Sequence, residues 1–241
     1  MRNADGNWTP FANPPWGVNQ RDSASACACT LDGPNLHVAM IDGQGILRYG
    51  IRFPTGWSDL GTPSGPNGGA FKVSAVAAGN EPTPTSDGTL TIAVADPSTN
   101  SVRVVRRIHN TGQWLAWDTL AAPPPPNANE PNSVGSVAVV VQSKGEFAQL
   151  VATFGNRVFN ATRHAPTNNL VWTGWRQVFY PMGGTGRIVK RVAAARLEGS
   201  TIPPYSTSIF ADSFPGQTAT SPSDSDGVPS SAVTPTPESV K

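Results

Sequence analysis

Four tryptophan-centred segments fall along the chain at near-regular intervals: "WTPFANPP" from Trp8, "WSDLGTPSG" from Trp57, "WDTLAAPPP" from Trp117 and "WRQVFYPMG" from Trp175. The intervals are 49, 60 and 58 residues. A repeat of this length constrains the fold strongly, because one such unit cannot bury its own apolar face and must stack on its neighbours. Three further segments recur in fixed order between the markers. A small-residue run comes first: "SACACT" (25–30), "VSAVAAG" (73–79), "SVAVVV" (136–141) and "RVAAAR" (191–196). An alternating apolar run follows: "LHVAMID" (36–42), "LTIAVAD" (90–96), "QLVATFG" (149–155) and "STSIFADS" (206–213). A third run, "ILRYGIR" (46–52), "VRVVRRI" (102–108) and "VFNATRH" (158–164), leads into the Trp segment. Two copies carry a second tryptophan three residues earlier, Trp114 and Trp172.

Each unit therefore reads as four short strands joined by tight turns. Alternation of apolar and polar residues has the period of a strand, and Gly, Pro, Asn and Asp at the joins supply the turns. This pattern predicts an all-β protein, a β-propeller with four-stranded blades of about 50–60 residues, three complete and a fourth partial. Small residues suit the inner strand, where blades converge, and a Trp near the outer strand suits the wedge between blades. "NWTPF" (7–11) would supply an outer strand to the incomplete blade, whose inner strands fall near 190–197 and 206–213. The propeller is expected over residues 1–214. Residues 215–241, ending "SPSDSDGVPSSAVTPTPESVK", are too rich in Ser, Pro and Thr to pack and read as a disordered tail or linker. A ring short of one strand is either part of a longer propeller or completed by further copies of the chain, since an open sheet edge invites pairing.

Composition narrows the partners. The 241 residues include 17 Lys and Arg against 16 Asp and Glu, a formal charge of +1, so no basic footprint for nucleic acid is expected. No apolar run reaches the roughly 20 residues of a membrane helix. "MRNADGNWTPF" lacks the apolar core of a signal peptide, and an extracellular location is expected of the chain as a domain of a longer, secreted protein. Cys27 and Cys29 would share one strand face, too close for an unstrained disulfide, and are expected to be small buried apolar residues.

The segment "LHVAMIDGQGILRYGIRFPTGWSDLG" (36–61) resembles the repeats of Photorhabdus-type β-propeller lectins, whose blades carry an Asp-Gly turn before a Gly-Trp-Ser segment. The second copy departs by inserting "EPTPTSDG" (81–88), and the third replaces the Asp-Gly turn with "FGNR" (154–157). The resemblance covers about residues 5–214; a weaker one is to fucose-binding propeller lectins. It implies a non-enzymatic module that binds glycans or glycoconjugates at several shallow sites between blades, without cofactor or metal. The implied ligand positions are Trp57, Trp117 and Trp175, whose indoles would stack on a pyranose, and Arg52, Arg107 and Arg163, whose guanidinium donors suit vicinal hydroxyls. The alternative for each Trp is a structural wedge, and for each Arg a solvated charge. Tyr49, His109 and His164 lie close by in the repeat.

No catalytic pattern stands out. His37, His109 and His164 have no recognised ligand spacing, and a Gly-x-Ser-x-Gly elbow is absent. "SPSDSDG" (221–227) lacks the Trp of a sialidase box, and "GGTG" (183–186) lacks the Lys of a phosphate loop. Apart from sugar binding, the alternatives are a propeller scaffold for protein partners and a glycosidase-type fragment.

Overall fold

The structure, a computed structural model, describes residues 24–58, 62–80, 88–125, 127–129, 131–141, 147–164, 171–179, 187–196 and 207–215. These contain fifteen strands and no helix. The expected N-terminal strand at 7–11 and the tail from 216 lie outside them.

The strands form four antiparallel sheets that follow one another along the chain. The first is the meander β1 (Ala26–Asp32), β2 (Asn35–Ile41), β3 (Leu47–Phe53) and β4 (Gly56–Ser58). The second repeats that order with β5 (Ala75–Asn80), β6 (Thr89–Asp96), β7 (Ser101–Ile108) and β8 (Asp118–Ala121). The third contains β9 (Val134–Val141), β10 (Phe147–Phe154) and β11 (Arg157–His164), and its outermost position is divided between β12 (Val171–Trp172) and β13 (Arg176–Phe179). The fourth is the hairpin β14 (Arg187–Arg196) and β15 (Thr207–Pro215). Each sheet is open. The segments expected from the alternation coincide with these strands to within a few residues at each end.

Two hairpins share a device. Between β2 and β3 the Asp42 carboxylate accepts hydrogen bonds from the backbone N–H of Gln44 and Ile46, at 3.0 and 2.8 Å, and from Arg48 Nε at 2.9 Å. Between β6 and β7 Asp96 accepts from Ser98, Thr99 and Arg103 Nε, the last at 2.6 Å. An Asp that caps its own turn and pairs with an Arg on the next strand fixes hairpin register. In the third sheet the turn is only Gly155-Asn156, with Gly155 at φ 59°.

The sheets pack face to face. The first strands of successive sheets are neighbours, β1 beside β5, β5 beside β9 and β9 beside β14. One apolar layer, including Ile41, Leu47, Tyr49, Leu90, Ile92 and Val94, fills the space between the first and second sheets. Another, including Ala93, Val102, Val104, Val137, Leu150 and Phe154, lies between the second and third. A smaller one, with Val151, Val158 and Val189, joins the third to the fourth. Because the second sheet is covered on both faces, all eight residues of β6 are buried, although its sequence alternates. Close approach explains the small residues of the first strands. A Cβ on Gly79 of β5 would meet Val141 Cγ2 of β9 at 3.0 Å. The cysteines correct their expected burial. They do share a face, but it is the outward face of β1, where both are exposed beside Leu31 at 59%. The inward face carries Ala26 and Ala28 instead.

Candidate functional site

Each Arg selected from the sequence faces a Trp across the strands, but only Arg52 faces one of the selected tryptophans. Arg52 pairs with Trp57, Arg107 with Trp114 and Arg163 with Trp172. Trp57 thus stands where Trp114 and Trp172 stand, and Trp117 and Trp175 occupy a different position, three residues on. Neither Arg107 nor Arg163 is a solvated charge: they are 6% and 1% exposed. The loop after β7 closes over Arg107, since a Cβ on Gly112 would lie 2.7 Å from Arg107 Nη2. The Arg163 guanidinium lies over the Trp172 ring, 5.3 Å from its centroid. That contact gives a desolvated cation an aromatic face and sets the tilt of the indole. Arg52 is half-buried and donates to the Phe53 carbonyl.

Trp117 and Trp175 tie each sheet to the one before. Trp117 donates its indole N–H to the Ser64 carbonyl at 2.7 Å and packs edge-on against Phe71. Trp175 donates to the Ala121 carbonyl at 2.9 Å and packs against Phe154. These are the wedges the sequence offered as one of two readings, though both rings stay half exposed.

A groove of about 400 Å³ opens where the second and third sheets meet at their outer strands. Its walls are Asp118–Ala121 on one side and Val171–Trp175 on the other. Two indoles, Trp172 and Trp175, therefore border one cavity together with the Asp118 carboxylate and the Thr119 and Thr173 hydroxyl side chains. Trp172 Nε1 donates to Asp118 Oδ2 at 3.3 Å, and Thr119 Oγ1 accepts from Arg103 at 2.9 Å. Gly174, between the two indoles, faces open space: a Cβ there meets nothing within 4 Å. The outer strand is broken at Thr173–Trp175, between β12 and β13, and these residues line the groove.

A polar cluster occupies the corresponding junction of the first and second sheets. Asp32 ends β1, and His37 and Tyr49 face inward from β2 and β3. Asn80 ends β5, and His109 follows β7. His37 Nδ1 and Tyr49 Oη are hydrogen-bonded at 2.7 Å. His109 Nδ1 lies 3.2 Å from Asp32 Oδ2, and His37 Nε2 lies 3.9 Å from the same oxygen. His109 Nε2 is 2.6 Å from Asn80 Oδ1, while Asn80 Nδ2 donates to the Leu31 carbonyl. Trp114 packs edge-on over Tyr49 at 5.0 Å. Burial, reinforced by His109 and Arg107 and only partly opposed by Asp32, lowers the His37 pKa to about 4, so this imidazole is neutral near pH 7. Burial likewise pushes the Tyr49 hydroxyl upward.

The sequence passed over this cluster because His37 and His109 lie far apart in the chain and show no motif. The available signal was local. In "LHVAMI" His37 shares its strand face with Ala39 and Ile41, so alternation alone places it inward among apolar neighbours. His164 ends β11, and its side chain lies outside the described residues. No protein-family model and no curated protein matches the chain.

Proposed function

We propose that the chain is a non-enzymatic, carbohydrate-binding propeller module whose sugar site is the groove between the second and third sheets. The repeated sheets act as successive blades, a reading supported by their chain-order stacking, first strand against first strand. The observation that carries the sugar proposal is one cavity bordered by two half-exposed indoles, a carboxylate and two threonines. A pyranose has an apolar C–H face that stacks on indole and hydroxyls that need directed donors and acceptors; Asp118 and the threonines supply the latter. Buried Arg163 serves the site from behind, by holding Trp172. One shallow groove binds weakly, and recurrence of the Arg–Trp pair in three sheets is the basis for several sites acting together through effective concentration.

Glycan-array screening followed by calorimetry tests this on the wild type and on Gly174→Leu, which adds bulk to the groove wall at a position where a Cβ meets nothing within 4 Å. The expected result is glycan binding by the wild type and its loss in Gly174→Leu at an unchanged melting temperature. A folded wild type that binds no glycan refutes the sugar reading and leaves a scaffold for protein partners. Binding untouched by Gly174→Leu places the site elsewhere.

A further inference from the structure

We propose that Asp32, His37 and His109 form a binding site for a zinc-class divalent ion that clamps the first sheet to the second. Their donor atoms, Asp32 Oδ2, His37 Nε2 and His109 Nδ1, all lie within 4.8 Å of one another. Tetrahedral zinc with bonds near 2.0 Å sets its ligand atoms about 3.3 Å apart. The His109–Asp32 separation of 3.2 Å already matches, and the His37–Asp32 separation of 3.9 Å needs only a small closure.

The hydrogen-bond pattern favours an ion. Asn80 is oriented by its donation to the Leu31 carbonyl, so its Oδ1 faces His109 and accepts from Nε2–H. In neutral His109 that tautomer leaves a lone pair on Nδ1, directed at a carboxylate oxygen 3.2 Å away. Either a proton or a metal ion bridges two such facing acceptors, and the third donor beside them is what favours the metal. His37 adds a third donor: the residue is 2% exposed, and its buried Nε2 has no hydrogen-bond partner among the described residues. An unsatisfied buried nitrogen is costly, and an ion would satisfy it. Each imidazole is also held at its far nitrogen, His37 by Tyr49 and His109 by Asn80, as metal-ligating histidines generally are.

Two imidazoles and one carboxylate are a donor set for zinc or a similar transition ion rather than for calcium or magnesium, which prefer oxygen. Three protein ligands leave a fourth position for water. Asp32, with its side chain 39% exposed, forms the entry from solvent. The site is distinct from the sugar groove, which lies at the next sheet junction, so either can fail without the other.

The test uses the full chain carrying Cys27→Ser and Cys29→Ser, which removes two exposed thiols as competing ligands. After chelator treatment and dialysis, zinc chloride is titrated by calorimetry, and cobalt(II) is followed by its visible absorption. One ion per chain is expected, with a higher melting temperature that chelator reverses. Tyr49→Phe, which removes the outer hydrogen bond to His37, should weaken binding roughly 10–100-fold. Asp32→Asn and His109→Gln should weaken it further, with circular dichroism confirming the fold. Asp32→Asn, a near-isostere at a half-exposed turn, is the variant least able to fail by unfolding. The proposal is overturned if the folded protein takes up no ion saturably, which leaves a simple His109–Asp32 proton pair. It is equally overturned if uptake persists unchanged in Asp32→Asn and His109→Gln.

Discussion

Gly155 and Asp96 each hold a hairpin, by different physics. Gly155 sits at φ 59°, and a Cβ there would fall 1.9 Å from the Pro131 carbonyl oxygen, which is backbone and cannot step aside. Gly155→Ala is therefore expected to cost about 2–4 kcal/mol, read as a lower urea midpoint. For Asp96, burial pushes the pKa up, but hydrogen bonds from Ser98, Arg103 and Thr99 outweigh it and bring the value down to about 2. Because the folded pKa lies below the unfolded one, this carboxylate contributes stability in full above about pH 4 and loses it as pH falls toward 2. Asp96→Asn should flatten that part of the stability–pH curve relative to wild type, as measured by urea denaturation at successive pH values. At this scale part was legible: the Asp-Gly turn after "LHVAMI" was read directly from the sequence. The burial of Arg107 and Arg163 was not, because an Arg on an outer strand looks solvated until the neighbouring loop and indole that cover it are placed.

Strand positions were legible for the same reason the strands exist: period-two alternation is what lets a sheet bury a face. The equivalence of the tryptophans was not. In sequence "WSDLG" aligns with "WDTLA", so Trp57 matches Trp117, whereas register across the ladder pairs Trp57 with Arg52 as Trp114 pairs with Arg107. Cross-strand pairing overrides linear similarity where a strand is interrupted. The wedges at the next position are separable into ring and hydrogen bond. Trp175→Phe keeps most of the contact with Phe154 and loses the bond to the Ala121 carbonyl, for an expected cost of about 1–2 kcal/mol. Trp175→Ala, which also removes the contact of this half-exposed ring with Phe154, should cost about 2–3 kcal/mol in thermal or chemical denaturation.

Protection in the whole molecule should follow the layering. Sheets covered on both faces open only when a neighbour leaves, so amides of β6 and β10 should exchange slowest in a hydrogen-exchange experiment, and those of β1 faster. Uniform exchange across all four sheets would mean that the stack unfolds as one unit. The candidate sites belong to this scale as well: the His cluster and the two-indole groove exist only where separate repeats meet, which no single repeat encodes visibly. The rim of the third sheet is divided. Lengths of two and four residues, β12 and β13, with a gap between them, give an incoming strand of a foreign chain too short a ladder to dock on. The same interruption that borders the two-indole groove thus also guards this flank against edge-to-edge aggregation.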